Sequence, residues 1–308
     1  MAEKNKKERF FSRLAEFRVL YFMLLPAMVY YIIFCYIPMG GIAMAFQDFN
    51  FRRGIFGSKW IGFQYFITFF TSYDFPRLLR NTLVIGFIKC IIEFPFPIIL
   101  ALMLNEIHNE QFKRVTQTIS YMPYFMSSVI VVTMMQRLFA PETGIVNSII
   151  GALGGDRSTF FMMEAKYFYQ LLFGMDIWKN IGYSSIIYLA AISGIDAELY
   201  EAAEIDGCSK LKKMRFITLP GIVGTIGILF ILNVGSLVSS NYQQLWLLRT
   251  PGNMALADTL DLFVVRVGLS DGKFGYATAI GLVQGFAGLI LVVISNKIAR
   301  KYTDISVW

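Results

Sequence analysis

Residues 201–221 read EAAEIDGCSKLKKMRFITLPG and form the most polar stretch in the second half of an otherwise strongly apolar chain. The first residues are good helix formers, Gly207 is a natural helix stop, and Pro220 suits the first turns of a following helix. We therefore expect a short charged helix over residues 201–209, then a turn and a helix that enters an apolar run. Such a helix should protrude where a soluble protein can bind it, although an ordinary amphipathic connector would show the same pattern.

The composition indicates a membrane protein. Hydrophobic residues make up 56% of the 308 residues and charged residues only 16%, whereas soluble domains contain about 25% charged residues. Because about 20 apolar residues cross a hydrocarbon core, we predict an all-α fold with six membrane-spanning helices. The predicted spans are residues 20–46, 81–104, 118–140, 172–194, 217–240 and 277–296. The first run is too long for the apolar core of a cleavable signal peptide.

The distribution of Lys and Arg predicts the orientation. Segments 1–19, 105–117, 195–216 and 297–308 hold 15 basic residues in 66 positions, whereas the other three connections hold 10 in 101. The positive-inside rule therefore places the first four segments, and both chain ends, in the cytoplasm. The tail 1–19 is either a basic amphipathic helix on the inner leaflet or a disordered tail. The basic residues are dispersed, which indicates lipid headgroup contacts and not nucleic-acid binding.

Two spans carry ionisable residues. Lys89 and Glu93 lie four residues apart in the second span, where a charge is costly unless it is paired or hydrated. They are either a functional site or a helical ion pair that packs against a neighbouring helix. Asp176 and Lys179 are expected at the outer end of the fourth span, within reach of the interface, and receive no role.

The end of the fifth span, NVGSLVSSNYQQLWLL (residues 233–248), combines uncharged polar groups with aromatic rings. This combination suits a sugar, whose hydroxyl groups need hydrogen bonds and whose ring faces pack on aromatic side chains. The alternative is hydrogen bonding between helices beside an interfacial aromatic belt. The candidates for the substrate path are Asn233, Asn241, Tyr242, Gln243, Gln244 and Trp246.

The sequence contains no recognisable catalytic motif. The nearest match to a phosphate-binding loop, GLSDGKF, has the wrong glycine spacing and carries Phe274 where Ser or Thr binds magnesium. His108 has no clustered partners, and the three cysteines are not placed for a disulfide or a metal site. We predict that the chain is not an enzyme and holds no metal or cofactor.

The opening stretch resembles a family signature. Its pattern of E-A-A, three residues, Gly, nine residues and I-x-L-P is similar to that of permease subunits of binding-protein-dependent ABC importers. Other stretches, including MPYFMSSVIVV and IWKNIGYSSIIYLAAISGI, resemble the branch that takes up oligosaccharides and polysaccharide fragments. The resemblance covers residues 15–308. This sequence departs from the family pattern at Cys208, where the family usually has alanine.

This resemblance implies a type I ABC importer permease fold in a bacterial cell membrane, with residues 20–296 as the permease domain. It implies four kinds of partner: a second homologous permease, two ATPase subunits that hold ATP and magnesium, an extracellular sugar-binding protein, and lipid. Segment 195–216 would transmit ATPase movement. Its implied coupling residues are Glu201, Ala202, Ala203, Asp206, Gly207, Ile217, Leu219 and Pro220. The alternative function is an ion-coupled secondary transporter that uses Lys89 and Glu93 as a relay.

Overall fold

The computed structural model describes residues 17–302, and most of this backbone is helical. Most of the predicted N-terminal tail and the last six residues lie outside the described range. A small antiparallel ladder pairs β1, Gln47–Asp48, with β2, Lys59–Trp60. Apart from this ladder, the described residues agree with the all-α class expected from the composition.

The helices are numbered here in chain order. They are α1 Arg18–Phe46, α2 Gly54–Gly57, α3 Gln64–Phe70, α4 Phe75–Asn105, α5 Glu110–Tyr121, α6 Ser128–Leu138, α7 Ile145–Ala152, α8 Phe168–Ser193, α9 Ala197–Ile205, α10 Lys210–Gly221, α11 Val223–Val238, α12 Tyr242–Leu248, α13 Met254–Ala257, α14 Leu260–Val265 and α15 Phe274–Tyr302. Wider π-helical turns interrupt α4 at Lys89–Glu93 and α10 at Met214–Thr218.

Three helices in the described range, α1, α4 and α15, are long and apolar enough to cross a membrane. The pairs α5–α6 and α10–α11 also qualify if each pair is one broken span. The fourth predicted span, 172–194, corresponds to α8, which does not meet the same criterion of length and hydropathy. The described structure therefore supports three to five spans on this criterion, and the number six remains a prediction.

Two predicted spans are not straight helices. Within 118–140 a 3-10 turn over Met122–Phe125, which contains Pro123, continues α5, and the chain then turns by 100° before α6 begins at Ser128. Within 217–240 the chain bends by 62° between α10 and α11. Pro220 lies two residues before this second break; it has no N–H to donate, and its ring crowds the carbonyl four residues earlier. An apolar run shows that a segment is buried in lipid or protein, but it does not reveal such bends.

Helix α8 lies in the middle of the bundle, where it packs against α5 and the second half of α4. A Cβ atom on Gly182 would come within 1.9 Å of the Ser120 carbonyl oxygen, so the close approach of α8 to α5 requires glycine. Because neighbouring helices cover it, α8 can carry polar side chains that would be costly against lipid. This packing explains why its hydropathy is lower than that of α1, α4 and α15.

At the end of the bundle opposite α9, a buried carboxylate joins three segments. Asp258 forms ion pairs with Arg249 at 2.8 Å, Arg266 at 3.2 Å and Arg77 at 3.8 Å. The Asn81 side chain donates hydrogen bonds to the carbonyl oxygens of residues 255 and 258. These contacts tie the start of α4 to the segment that connects α12 with α14.

Candidate functional site

A cavity of about 490 Å³ lies between α4, α8 and α11. Its volume is within the roughly 300–1,000 Å³ that is usual for small-ligand sites. Gly86 makes one of its walls possible, because a Cβ atom there would come within 2.0 Å of the Leu237 carbonyl oxygen where α11 meets α4. The lining residues are Gly86, Lys89, Glu93, Phe94, Phe96, Pro97, Tyr124, Asp176, Ile177, Asn180, Ile181, Tyr183, Ser184, Ile187, Tyr188, Leu229, Asn233, Ser236, Leu237 and Ser239.

One part of the cavity wall is charged, and its pairing differs from the local Lys89–Glu93 ion pair that was one of the two expectations. The Lys89 Nζ atom lies 2.7 Å from the Asp176 Oδ2 atom, so Lys89 is paired across two helices and not with Glu93. The Asp176 side chain is only 3% exposed, whereas that of Lys89 is 24% exposed. Asp176 is therefore buried inside the bundle and does not extend to the interface, because α8 is covered by its neighbours at this position.

Another part of the wall is aromatic. The rings of Tyr124 and Tyr183 stack almost parallel, with centroids 3.8 Å apart and an interplanar angle of 5°. These residues remain 39% and 41% exposed, although both line the cavity. A flat aromatic surface with phenolic hydroxyl groups at its edge is suited to packing against a sugar ring while donating and accepting hydrogen bonds.

Neither tyrosine nor Asp176 was among the predicted site residues, but the sequence does contain a signal for Tyr183 and Asp176. Asp176, Asn180, Tyr183 and Ser184 follow one another at intervals of four, three and one residues, which places them on one face of a helix. All four line the cavity. Polar residues at helical spacing inside an apolar run thus mark the face of α8 that borders the cavity.

The predicted substrate-path residues are divided between two places. Asn233 lines the cavity, together with Ser236 and Ser239. Tyr242, Gln243 and Trp246 line a second pocket, beside Ser127 and Ser128 at the start of α6. Gln244 is buried and Asn241 is exposed at the start of α12, and neither lines these two pockets. The contact of Asn241 and Gln244 with a substrate remains a prediction.

The polar stretch that begins at Glu201 contains the expected helix, with different limits. Helix α9 covers Ala197–Ile205 because the Asp196 side chain accepts a hydrogen bond from the Glu198 N–H and caps the start four residues earlier than expected. The C-terminal end of α9 is formed at Gly207, as predicted from the sequence. Gly207 has φ +69°, the Cys208 N–H donates to the Ala203 carbonyl, and the Gly207 N–H donates to the Glu204 carbonyl. This is the Schellman arrangement, in which glycine favours the left-handed residue.

Helix α9 is joined to the helix that enters the bundle. The Tyr200 hydroxyl lies 2.9 Å from the Thr218 Oγ1 atom, which is fully buried. Ala203 is also buried, and Ile222 packs in the same end of the bundle as α8 and the second half of α4. Helix α9 is therefore in direct contact with α10, which continues through the bend into α11, the helix that carries Asn233.

The coupling residues implied by the resemblance form a partly exposed surface. Glu201, Ala202, Asp206, Leu219 and Pro220 are exposed, Ile217 is partly buried, and Ala203 packs inward. Ile205, at the C-terminal end of α9, is 88% exposed. In the chain, Ile205 has Glu201, Glu204 and Asp206 beside it, and all three are exposed.

Comparisons with known proteins agree with this geometry. The family model described as "Binding-protein-dependent transport system inner membrane component" matches residues 93–303. The chain is 41% identical over 302 residues to the polygalacturonan/rhamnogalacturonan transport system permease protein YteP of Bacillus subtilis (strain 168), covering 98% of this chain and 94% of the relative. It is 40% identical to protein LplB of the same organism over 92% and 89% of the two chains.

A solved structure has the same fold. One chain in the crystal structure of a bacterial alginate ABC transporter, in complex with alginate pentasaccharide-bound periplasmic protein, superposes with a TM-score of 0.87. The two chains are 34% identical, and the match covers 97% of this chain and 100% of the other. The overall fold of this chain is therefore one that is found in a solved transporter.

Proposed function

The chain belongs to the inner-membrane components of binding-protein-dependent transport systems, and we propose that it is one of two permease subunits of an ATP-driven oligosaccharide importer. This family consists of transport permeases and not enzymes. The transported molecule is an oligosaccharide or a polysaccharide fragment. It passes through the cavity between α4, α8 and α11, which opens alternately to the two sides of the bacterial cell membrane.

The observation that carries this proposal is the composition of the cavity. An exposed tyrosine pair, the amides of Asn180 and Asn233 and several hydroxyl groups converge within a helical membrane bundle. Polar side chains are costly in this setting unless they serve a ligand or one another. The names of the relatives point in the same direction, since YteP is named for polygalacturonan and rhamnogalacturonan and the solved transporter for alginate.

The partners follow from surfaces that this chain leaves uncovered. No residue of Arg18–Tyr31 in α1 is buried, so lipid and a second homologous permease can pack against this helix. The exposed tip of α9 is the docking surface for ATPase subunits, which hold ATP and magnesium in place of any cofactor on this chain. An extracellular sugar-binding protein delivers the substrate, as expected from the periplasmic protein named in the solved relative.

The coupling mechanism uses the link between α9 and α11. When the ATPase subunits close, they displace α9, and the Tyr200–Thr218 hydrogen bond carries this displacement into α10. Because α10 and α11 meet at a 62° bend, rotation at the bend moves Asn233 and Ser236 relative to the other cavity walls. In this proposal, Glu201, Ala202, Ala203, Asp206 and Gly207 form the coupling helix and its end, while Ile217, Leu219 and Pro220 shape the bend.

The test is reconstitution of the complete complex in lipid vesicles. The chain is co-expressed with its partner permease and ATPase, purified by a tag on this chain, and assayed with the cognate binding protein. We expect the ATPase to co-purify, and we expect acidic or neutral oligosaccharides loaded on the binding protein to stimulate ATP hydrolysis and sugar uptake. Uptake that persists without ATP and follows an ion gradient would contradict the proposal.

A further inference from the structure

Glu93 is a partly buried residue on the cavity wall. Its Oε1 atom is inaccessible and accepts no hydrogen bond from the described residues, although the side chain lines the cavity. A buried oxygen without a hydrogen bond is costly to maintain. Because Oε1 is enclosed, the acceptor available to a ligand in the cavity is the other carboxyl oxygen of Glu93.

The arrangement around Glu93 keeps this acceptor free. Lys89 precedes Glu93 by four residues, which in a regular helix brings the two side chains together. Instead, Lys89 is engaged by Asp176 of α8 at 2.7 Å, and the π-helical turn Lys89–Glu93 changes the local spacing. Asp176 is the more deeply buried member of the pair, so Lys89 is held against the α8 wall.

We propose that Glu93 accepts hydrogen bonds from the hydroxyl groups of the saccharide in the cavity, and that the Lys89–Asp176 pair keeps Lys89 from occupying this acceptor. The proposal rests on the oligosaccharide function given above. A carboxylate with free acceptor sites is suited to sugar hydroxyl groups, which are donors on every face of the ring. Lys89, Glu93 and Asp176 are the only charged residues that line the cavity in the described range.

This assignment also defines what the cavity recognises. Lys89 is the only basic group among the described lining residues, and its charge is already neutralised by Asp176. The wall formed by α4 and α8 therefore recognises hydroxyl groups, which all oligosaccharides share. The carboxylates of an acidic saccharide find no free cation on the described part of this wall, so in neutral and acidic oligosaccharides alike it is the hydroxyl groups that Glu93 contacts.

The test uses the reconstituted complex with saturating loaded binding protein, and it measures sugar taken up per ATP hydrolysed. Glu93→Met removes the acceptor at similar volume, and we expect this ratio to fall about tenfold or more, the loss typical of a hydrogen bond to a charged group. Glu93→Gln keeps one acceptor oxygen and should lose less. Glu110→Gln, which removes an exposed carboxylate at the start of α5, is the matched control and should behave as wild type.

A second set of variants separates recognition from structure. The double variant Lys89→Met with Asp176→Asn removes both charges of the pair and leaves Glu93 free, so we expect uptake per ATP to stay within about threefold of wild type. Adding Glu93→Met to this double variant should reduce the ratio again. Both sets are assayed with one neutral and one acidic oligosaccharide.

The outcomes are distinct. If wild type responds to glycans but Glu93→Met and Glu93→Gln keep the wild-type ratio, the role of Glu93 is wrong and the importer function stands. If the Lys89→Met, Asp176→Asn double variant is stable but loses uptake, while the Glu93 variants retain uptake, then the ion pair and not Glu93 binds the substrate. If no glycan on the binding protein stimulates the wild-type complex, the importer function itself is contradicted.

Discussion

Gly207 ends helix α9 in a left-handed conformation, with φ +69°, and a Cβ atom at this position would meet nothing within 4 Å. The requirement for glycine is therefore conformational and not steric. A β-branched residue is penalised in this conformation by roughly 1–2 kcal/mol, whereas asparagine tolerates it. The same torsion directs the Cys208 N–H to the Ala203 carbonyl, so a change at this residue alters the exposed end of α9.

We expect Gly207→Val to distort the end of α9 while leaving the membrane helices folded. The variant should insert and pair with the second permease, yet lose most of the ATPase stimulation produced by loaded binding protein. Gly207→Asn is the matched control, because it adds a side chain in the same open space without the conformational penalty, and it should retain most of the stimulation. Wild-type stimulation in Gly207→Val would show that α9 is only a connector.

Single residues differ in how far they can be predicted from the sequence. The role of Gly207 is local, since it follows a helix-forming stretch, and the structure shows the expected left-handed conformation. Asp176 was assigned no role because its burial depends on α8 lying behind α4, 87 positions away from Lys89 along the chain. The spacing of Lys89 and Glu93 suggested an ion pair within one helix. Instead, Lys89 pairs with Asp176 of a neighbouring helix.

At the scale of elements, apolar runs predicted where helices occur but not where they bend. The predicted span 217–240 contains parts of α10 and α11, with a 62° bend between them. The polar residues of segment 233–248 were expected to line one path, but α11 ends within this segment and divides them between α11 and α12. Asn233 consequently lines the cavity, whereas Gln243 in α12 lines the second pocket.

This separation predicts different effects for two equivalent substitutions. Asn233→Ala removes an amide from the cavity, and we expect sugar uptake to fall by about three- to tenfold, as for loss of a neutral hydrogen bond. Gln243→Ala removes a similar amide from the second pocket and should leave uptake near the wild-type rate. Both rates are compared in vesicles at equal amounts of complex. The reverse order of effects would move the substrate path to the second pocket.

At the scale of the whole molecule, composition was sufficient for the class of protein. The apolar content and the E-A-A pattern indicated an all-α membrane permease, and the family match and the solved transporter confirm that class. The number of spans was harder to predict because α8 is polar where it borders the cavity, and its burial depends on neighbouring helices. The orientation in the membrane was predicted from the distribution of basic residues, and the structure of the bundle does not test this prediction.

The orientation predicts which face of the molecule is reached from each side of the membrane. Basic residues are concentrated in the connections at the α9 end, so this end should face the cytoplasm. Cys208, which directly follows Gly207, is a native reporter once Cys35 and Cys90 are replaced by serine and alanine. Without ATPase subunits, an impermeant maleimide should label Cys208 in inside-out vesicles but not from outside intact cells.

The matched control places a cysteine at the opposite end of the bundle. The Asp271→Cys substitution, in a chain whose three native cysteines are replaced, lies in the exposed turn before α15, and its thiol should react from outside intact cells. ATPase subunits added to inside-out vesicles should protect Cys208 if α9 is their docking surface, and they should leave the accessibility of the introduced thiol unchanged. Labelling of Cys208 from outside intact cells would invert the orientation, and the ATPase subunits could then not reach α9 from the cytoplasm.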